Sequence, residues 1–233
     1  MLEPTPSCLL WDIDGTLIDT TKLIAAALDH IYNRFYHRTL SETELRALIG
    51  TPLKHQIRVF GEPEAFGTDE NTVIRAFIEY YEAHRDQERI LLPVISILKE
   101  GKRRGFPTGL VTSKNRAEIA NTLPRLNIAD DVDVVITADD TPNPKPAPDG
   151  LLAALECLHI PLAQRPLAVY IGDTVHDVQA AQAAGIRSIA VTWGAAPRSL
   201  LEAQKPTALC DTPAALACLL FGTSSVTDSE STI

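Results

Sequence analysis

Residues 9–17 read Leu9-Leu10-Trp11-Asp12-Ile13-Asp14-Gly15-Thr16-Leu17. The apolar run from Cys8 to Trp11 predicts a short buried strand. It ends in two carboxylates one residue apart, followed by Gly-Thr. Side chains two apart in an extended segment point to the same side, so Asp12 and Asp14 can converge on one substrate atom. Like charges that close repel unless a cation, a shared proton or solvent relieves them. Two acids at the end of a buried strand are therefore a poor packing choice and a good one for chemistry on phosphate with a divalent cation. Gly15 lets the backbone turn tightly just after them.

Outward from this stretch, the remaining strand candidates all lie beyond residue 106: Gly109–Thr112, Val132–Thr137, Ala168–Gly172, Ser188–Thr192 and Ala208–Cys210. Helical stretches near 115–123, 147–158, 176–184, 197–204 and 212–220 alternate with them. That alternation predicts an α/β fold, a parallel sheet with helices on both faces and right-handed crossovers. Residues 19–90 read differently, as helices with almost no strand signal. Asp19-Thr20-Thr21 can cap a helix running toward His37, and Ser41-Glu42-Thr43-Glu44 fits a capping box. Gly50-Thr51-Pro52 stops that helix, and Pro52 can sit in the first turn of the next. Val73, Ile74, Phe77, Ile78 and Tyr81 recur at helical spacing after Thr68-Asp69-Glu70. The expected organisation is an α/β core from residues 1–18 and 91–222, a helical cap at 19–90 inserted as a lid, and a disordered tail at 223–233 rich in Ser, Thr, Asp and Glu.

The 233 residues suffice for one sizeable domain or a domain with an insert. With 45% hydrophobic and 22% charged residues the composition is that of a soluble globular protein. A net charge of −9 argues against a nucleic-acid partner, which wants a basic face. The triplet Lys102-Arg103-Arg104 before Gly105 reads as the cationic last turn of a helix. No apolar run reaches bilayer-spanning length and no signal peptide is expected, so no membrane partner is expected either. Cys8, Cys157, Cys210 and Cys218 are widely spaced in apolar segments, which predicts buried free thiols and a cytoplasmic location. A monomer or homodimer is expected.

Four segments place polar groups just after a strand candidate, where open parallel sheets bind ligands. In the first, Asp12 would attack phosphorus and Asp14 would protonate the leaving oxygen, then take a proton from water. In the second, Val111-Thr112-Ser113-Lys114, a hydroxyl and the backbone N–H groups of the next turn suit a phosphate oxygen; the same residues also cap helices. In the third, Asn143-Pro144-Lys145-Pro146-Ala147-Pro148-Asp149, three prolines hold Lys145 where its charge can offset that of the nucleophile and phosphoryl group, or simply make a stiff turn with a solvated lysine. In the fourth, Ile171-Gly172-Asp173-Thr174-Val175-His176-Asp177, Asp173 can join Asp12 in holding Mg²⁺, and Asp177 can pair with Lys145 or hold a metal-bound water. Both acids also suit a helix N-terminus.

These motifs, in this order, resemble the haloacid dehalogenase-like hydrolase superfamily over residues 8–220. Asp-Ile-Asp-Gly-Thr is similar to its nucleophile loop; Thr112, Lys145 and Gly172-Asp173…Asp177 are similar to its second, third and fourth motifs. The resemblance implies a Rossmann-like core, an α-helical cap, and Mg²⁺ held by Asp12, Asp173 and the backbone carbonyl of Asp14, with Asp177 behind them. Dehalogenases of this group lack the second acid and the transport ATPases carry Thr there, so Asp14 favours transfer of phosphate. The segments Leu48-Ile49-Gly50-Thr51-Pro52-Leu53 and Val111-Thr112-Ser113-Lys114 resemble phosphoglycolate phosphatases and related pyrophosphatases; β-phosphoglucomutases share the core and cap type. The implied activity is hydrolysis of a small phosphorylated metabolite, first 2-phosphoglycolate, through an aspartyl phosphate. Thr51, Lys54, His55 and Arg58 in the cap, and Ser113, Lys114 and His176 in the core, are candidate contacts to the leaving group; Lys54 and Arg58, four apart, can equally be a solvated helix face.

Overall fold

The computed structural model describes residues 1–222, and the expected tail at 223–233 lies outside the described residues. The chain enters through β1 (Leu9–Trp11), turns at Gly15 and reaches β2 (Ile18–Asp19). Four helices follow: α1 (Thr21–Tyr36), α2 (Glu42–Leu48), α3 (Leu53–Gln56) and α4 (Glu70–Ala83). The chain returns through β3 (Arg89–Ile90) into α5 (Leu92–Arg103). Strand and helix then alternate: β4 (Thr108–Val111), α6 (Arg116–Leu126), β5 (Val134–Ile136), α7 (Asp149–Cys157), β6 (Val169–Gly172) and α8 (Val175–Ala183). The last elements are β7 (Arg187–Val191), α9 (Arg198–Ala203), β8 (Ala208–Cys210) and α10 (Pro213–Phe221).

Six strands pair in parallel in the order β5-β4-β1-β6-β7-β8. The chain builds outward from β1 to β4 and β5, then crosses to β6 and builds the other way. This makes β1 the switch point, where open α/β sheets form their ligand crevice. Register places Trp11 beside Leu110 on one side and Ile171 on the other, so the acids after β1 leave the sheet level with Thr112 and Asp173. Leu9, Trp11, Leu110 and Ile171 pack on one face against Val94, Leu98, Leu216 and Leu220 of α5 and α10. Leu10, Val111 and Tyr170 pack on the other against Leu151, Leu155 and Ala181 of α7 and α8. Both faces are covered, as a parallel sheet requires.

The helices between residues 21 and 83 bury an apolar cluster of their own, around Leu28, Ile31, Tyr32, Val73 and Phe77. Ser41 caps α2 with its box partner Glu44, and Asp69 caps α4 through Thr72 N–H. Ile74 is only partly buried and Ile78 is exposed on the outer side of α4.

Several local expectations are corrected. Two-residue strands β2 and β3 form an antiparallel ribbon at residues 18–19 and 89–90, too short for a period-two signal. Thr20 stands at the N-cap of α1 but makes no capping bond; its hydroxyl donates to Asp14 Oδ1 at 2.9 Å. Pro52 is the N-cap of α3 rather than a first-turn residue. Cys8 and Cys210 are buried free thiols, but Cys157 and Cys218 are exposed, at the end of α7 and on the face of α10 turned from Leu216 and Leu220. Among the described residues no helix is long and apolar enough to cross a membrane.

Candidate active site

The carboxyl ends of β1, β4, β5 and β6 bring Asp12, Asp14, Thr112, Lys145, Asp173 and Asp177 together, although Lys145 and Asp12 are 133 residues apart in sequence. Lys145 Nζ donates to Asp12 Oδ1 at 2.9 Å, to Asp177 Oδ1 at 2.7 Å and to the Tyr170 hydroxyl at 3.1 Å. Among the described residues no side chain or backbone N–H donates to the other Asp12 oxygen. Burial pushes the Asp12 carboxyl up to about 7; Lys145 pulls it down while Asp177 and Asp14 push it up. Burial by itself disfavours the Lys145 ammonium, yet Asp12 and Asp177 hold it well above the ordinary lysine range. The lysine therefore stays charged.

Asp177 accepts Thr174 N–H at 2.9 Å and the Thr174 hydroxyl at 2.6 Å on the oxygen that Lys145 does not use. Burial opposes its charge, but Lys145 and Thr174 outweigh burial and hold the carboxyl below its ordinary value. Thr174 and Asp177 form a capping box at the start of α8, so one motif starts the helix and aims an acid at Lys145.

Asp14 has a cation of its own. Lys114 Nζ lies 2.9 Å from Asp14 Oδ2, and Thr20 occupies Oδ1. Burial would lower the Lys114 ammonium, but Asp14 and Glu118 more than compensate and raise it. Glu118 itself is raised by burial. Thr112 Oγ1 accepts Lys114 N–H at 3.2 Å, which leaves the hydroxyl hydrogen for a substrate oxygen.

Asp173 is fully buried between two glycines. A Cβ on Gly15 or on Gly194 would stand 2.1 Å from Asp173 Oδ2, so neither position admits a side chain. Thr16 Oγ1 donates to Oδ1 at 3.0 Å and Ala195 N–H to Oδ2 at 2.7 Å. Those bonds are not enough: burial, then Asp177 and Asp12, push this carboxyl well above its ordinary value. Asp12, Asp173 and Asp177 offer oxygen atoms within 4.8 Å of one another. One lysine cannot balance three buried carboxylates, whereas a hard divalent cation on oxygen ligands can. The donor set fits a metal ion.

A cavity of about 50 Å³ is lined by Asp12, Asp14, Thr112, Ser113, Lys114 and Lys145 at the strand ends and by Gly50, Thr51, Gln56 and Tyr81 from the helical segment above. A neighbouring cavity of about 150 Å³ between α4 and α6 shares Phe77, Tyr81, Lys114 and Glu118 with it. Ser113 Oγ donates to the Gly50 carbonyl at 2.8 Å, tying the roof to the base. Of the other expected contacts, Thr51 faces the cavity. Lys54 does not: its side chain is 75% exposed and its ammonium lies 3.6 Å from Glu70. Arg58 pairs with Glu62 and Glu70, His55 is exposed, and His176 lines a separate pocket beside Thr43 and Arg46. Local spacing missed Thr16, Thr20, Gln56, Glu118, Tyr170 and Thr174. A readable signal existed for two of them: Thr174 opens a Thr-x-x-Asp box, and a tyrosine inside a buried strand needs a partner for its hydroxyl.

Comparison with known proteins agrees with this geometry. Residues 9–191 match the model of the haloacid dehalogenase-like hydrolase family. The chain belongs to that family. It is therefore a hydrolase on the family's α/β fold. A pyrophosphatase PpaX of Bacillus cereus is 33% identical over 207 residues, spanning 87% of this chain and 91% of the relative. The crystal structure of a candidate phosphoglycolate phosphatase from Lactobacillus plantarum superposes with a TM-score of 0.77 at 26% identity, over 92% of this chain and 99% of that one. A candidate β-phosphoglucomutase from Thermotoga maritima superposes at 0.67 with 23% identity, over 92% and 96%, which speaks for the fold alone.

Proposed function

We propose that this family member is a Mg²⁺-dependent phosphatase that hydrolyses a small phosphorylated anion through an aspartyl phosphate on Asp12. The observation that carries the reading is the pair of acids in one small cavity, each with its own buried lysine, Asp12 with Lys145 and Asp14 with Lys114. In this division residues 19–90 act as the cap over the core.

The unengaged oxygen of Asp12 attacks phosphorus, the bond to the leaving oxygen breaks, and Asp14 gives that oxygen a proton. Asp14 then takes a proton from water, whose oxygen attacks the same phosphorus. The phosphorus–Asp12 bond breaks, inorganic phosphate leaves, the Asp12 carboxylate is restored and Asp14 carries its proton again. Thr112 donates its hydroxyl hydrogen to a phosphoryl oxygen, and Lys145 offsets the charge gathered at Asp12. Asp12, Asp173 and the Asp14 carbonyl would hold Mg²⁺, which when bound neutralises phosphoryl charge; Asp177 fixes Lys145 behind them.

The two acids, their lysines and the Thr112 hydroxyl line one cavity, which suits a phosphoryl group beside a small anionic leaving group. Lys114 touches the acid that serves the leaving oxygen, so it replaces Lys54 as the cation for an anionic leaving group. 2-Phosphoglycolate fits that description and is the first substrate proposed. Inorganic pyrophosphate fits it too and is favoured by the PpaX relative. The partner is thus a small metabolite, in a compartment where four free thiols persist, as in cytoplasm. The test is phosphate release from 2-phosphoglycolate, pyrophosphate and β-glucose 1-phosphate with Mg²⁺, repeated with Asp12→Asn. Equal turnover by the variant removes Asp12 as nucleophile; isomerised sugar phosphate without released phosphate makes the protein a mutase.

A further inference from the structure

We propose that Tyr170 is a positioning residue that holds Lys145 on the nucleophile. An ammonium group has three N–H donors. On Lys145 all three are committed, to Asp12 Oδ1, Asp177 Oδ1 and the Tyr170 oxygen. The tyrosine has one hydrogen to give. The Val111 carbonyl, 2.9 Å away, can only accept, and Asp177 Oδ1 at 3.1 Å already receives the shorter bond from Lys145. The phenol therefore gives its hydrogen to Val111 and turns a lone pair to Lys145.

This one hydroxyl bonds two pieces of chain directly, at Val111 and Lys145, and through the ammonium reaches two more, at Asp177 and Asp12. Val111 ends β4 immediately before Thr112, Lys145 lies in the loop after β5, Asp177 lies on α8, and Asp12 follows β1. The ring is 1% exposed and packs with Leu10, Ala154 and Ala180, so Tyr170 touches no substrate and acts only through Lys145. Without the hydroxyl, one ammonium N–H is unbound and Lys145 is free to swing from Asp12 toward Asp177. Chemistry at Asp12 then slows while substrate still binds through the remaining groups. The inference rests on the reading of Asp12 as nucleophile.

Two measurements on the full chain decide it. With Mg²⁺ and the substrate turned over fastest in the panel above, Tyr170→Phe lowers kcat about tenfold, the size expected for one hydrogen bond to a charged group, and leaves KM within twofold. In ¹⁵N-lysine-labelled protein, the ammonium signal of Lys145, identified by its loss in Lys145→Met, is protected from solvent exchange and loses that protection in Tyr170→Phe. An unchanged kcat, or protection that survives in Tyr170→Phe, overturns the proposal. Should that variant fail to fold, the unaltered protein still decides, because a Lys145 ammonium exchanging as fast as exposed Lys54 overturns it as well. Failure of the nucleophile reading is a separate result: full turnover by Asp12→Asn.

Discussion

Lys114 Nζ lies 2.9 Å from Oδ2 of Asp14, so the second acid has a buried cation distinct from the one on Asp12. In the proposed reaction Asp14 gives its proton to the leaving oxygen, and the ammonium beside it stabilises the carboxylate that this leaves. The same ammonium can then follow the charge onto the leaving group. Lys145 is spent on Asp12, Asp177 and Tyr170 and cannot do this.

Lys114→Met is therefore expected to depend on the leaving group. A hydrogen bond to a charged partner contributes about 1.5–3 kcal/mol, so kcat/KM should fall roughly 10- to 150-fold on 2-phosphoglycolate or pyrophosphate. With phenyl phosphate, whose leaving group carries no second anion, the fall should be several-fold smaller. Steady-state kinetics on both substrates checks this. Equal losses would place Lys114 in the service of Asp14 alone.

Metal binding should show in stability. Asp12, Asp173 and Asp177 crowd their oxygens within 4.8 Å, and burial together with the neighbouring carboxylates raises both Asp12 and Asp173. A cation that binds only the folded chain adds about 2.7 kcal/mol at a hundredfold excess over its Kd. For a chain of this size that is a rise of about 5–10 °C in Tm. Thermal melts in Mg²⁺ and in EDTA should differ by this amount, and Asp173→Asn should melt alike in both. A Mg²⁺-dependent rise that persists in Asp173→Asn would falsify its place among the ligands.

The parts of this site that were legible in the sequence are those where chemistry and local pattern coincide. Asp12 and Asp14 share a period of two at the end of an apolar run, and Asp173 likewise follows an apolar run, that of β6, which lies beside β1 in the sheet. Topology supplies what spacing cannot. Lys54 and Arg58 stand in or beside the segment expected to face the nucleophile, but Glu70 on the next long helix takes both. Thr20 reads as a helix cap, yet its hydroxyl donates to Asp14 and makes no capping bond. Tyr170 reads as strand filler until β4 and β6 flank β1 and bring Val111 and Asp177 to its hydroxyl.

Acid should loosen the loop that carries Lys145. Asp140 accepts Thr137 N–H at 2.8 Å and the Thr137 hydroxyl at 2.6 Å just after β5, and it pairs with Arg116. The Thr137 hydroxyl, ahead of an opposing cost of burial and the pull of Arg116, lowers the carboxyl from 3.8 to about 2. A carboxyl lowered on folding adds stability that is complete above the unfolded value near 4 and disappears as pH falls through 2. Asp140→Asn has no such proton to gain. Its Tm should be below that of the unaltered protein at pH 5 and approach it at pH 2–3. A difference that does not shrink with acid contradicts the assignment.

The roof of the cavity closes on Gly50, and this is where a single methyl group should separate binding of metal from turnover. Gly50 has φ of +95°, a conformation L side chains rarely adopt, and a Cβ there would stand 2.7 Å from Thr174 Cγ2. Its carbonyl receives the Ser113 hydroxyl, so the same residue is pressed against α8 and latched to the loop after β4. Gly50→Ala must lift this loop or tilt Thr174, whose backbone N–H and hydroxyl hold Asp177. Either movement opens the cavity to water and loosens Lys145, while Asp12 and Asp173 keep their places. The expected outcome is a loss of at least tenfold in kcat/KM with the Mg²⁺-dependent rise in Tm intact. Ser113→Ala removes only the latch, a neutral hydrogen bond of about 1 kcal/mol, and should cost about fivefold. Phosphate-release kinetics beside thermal melts tests both variants, and a Gly50→Ala protein with undiminished kcat/KM would show that turnover does not require the loop to seat.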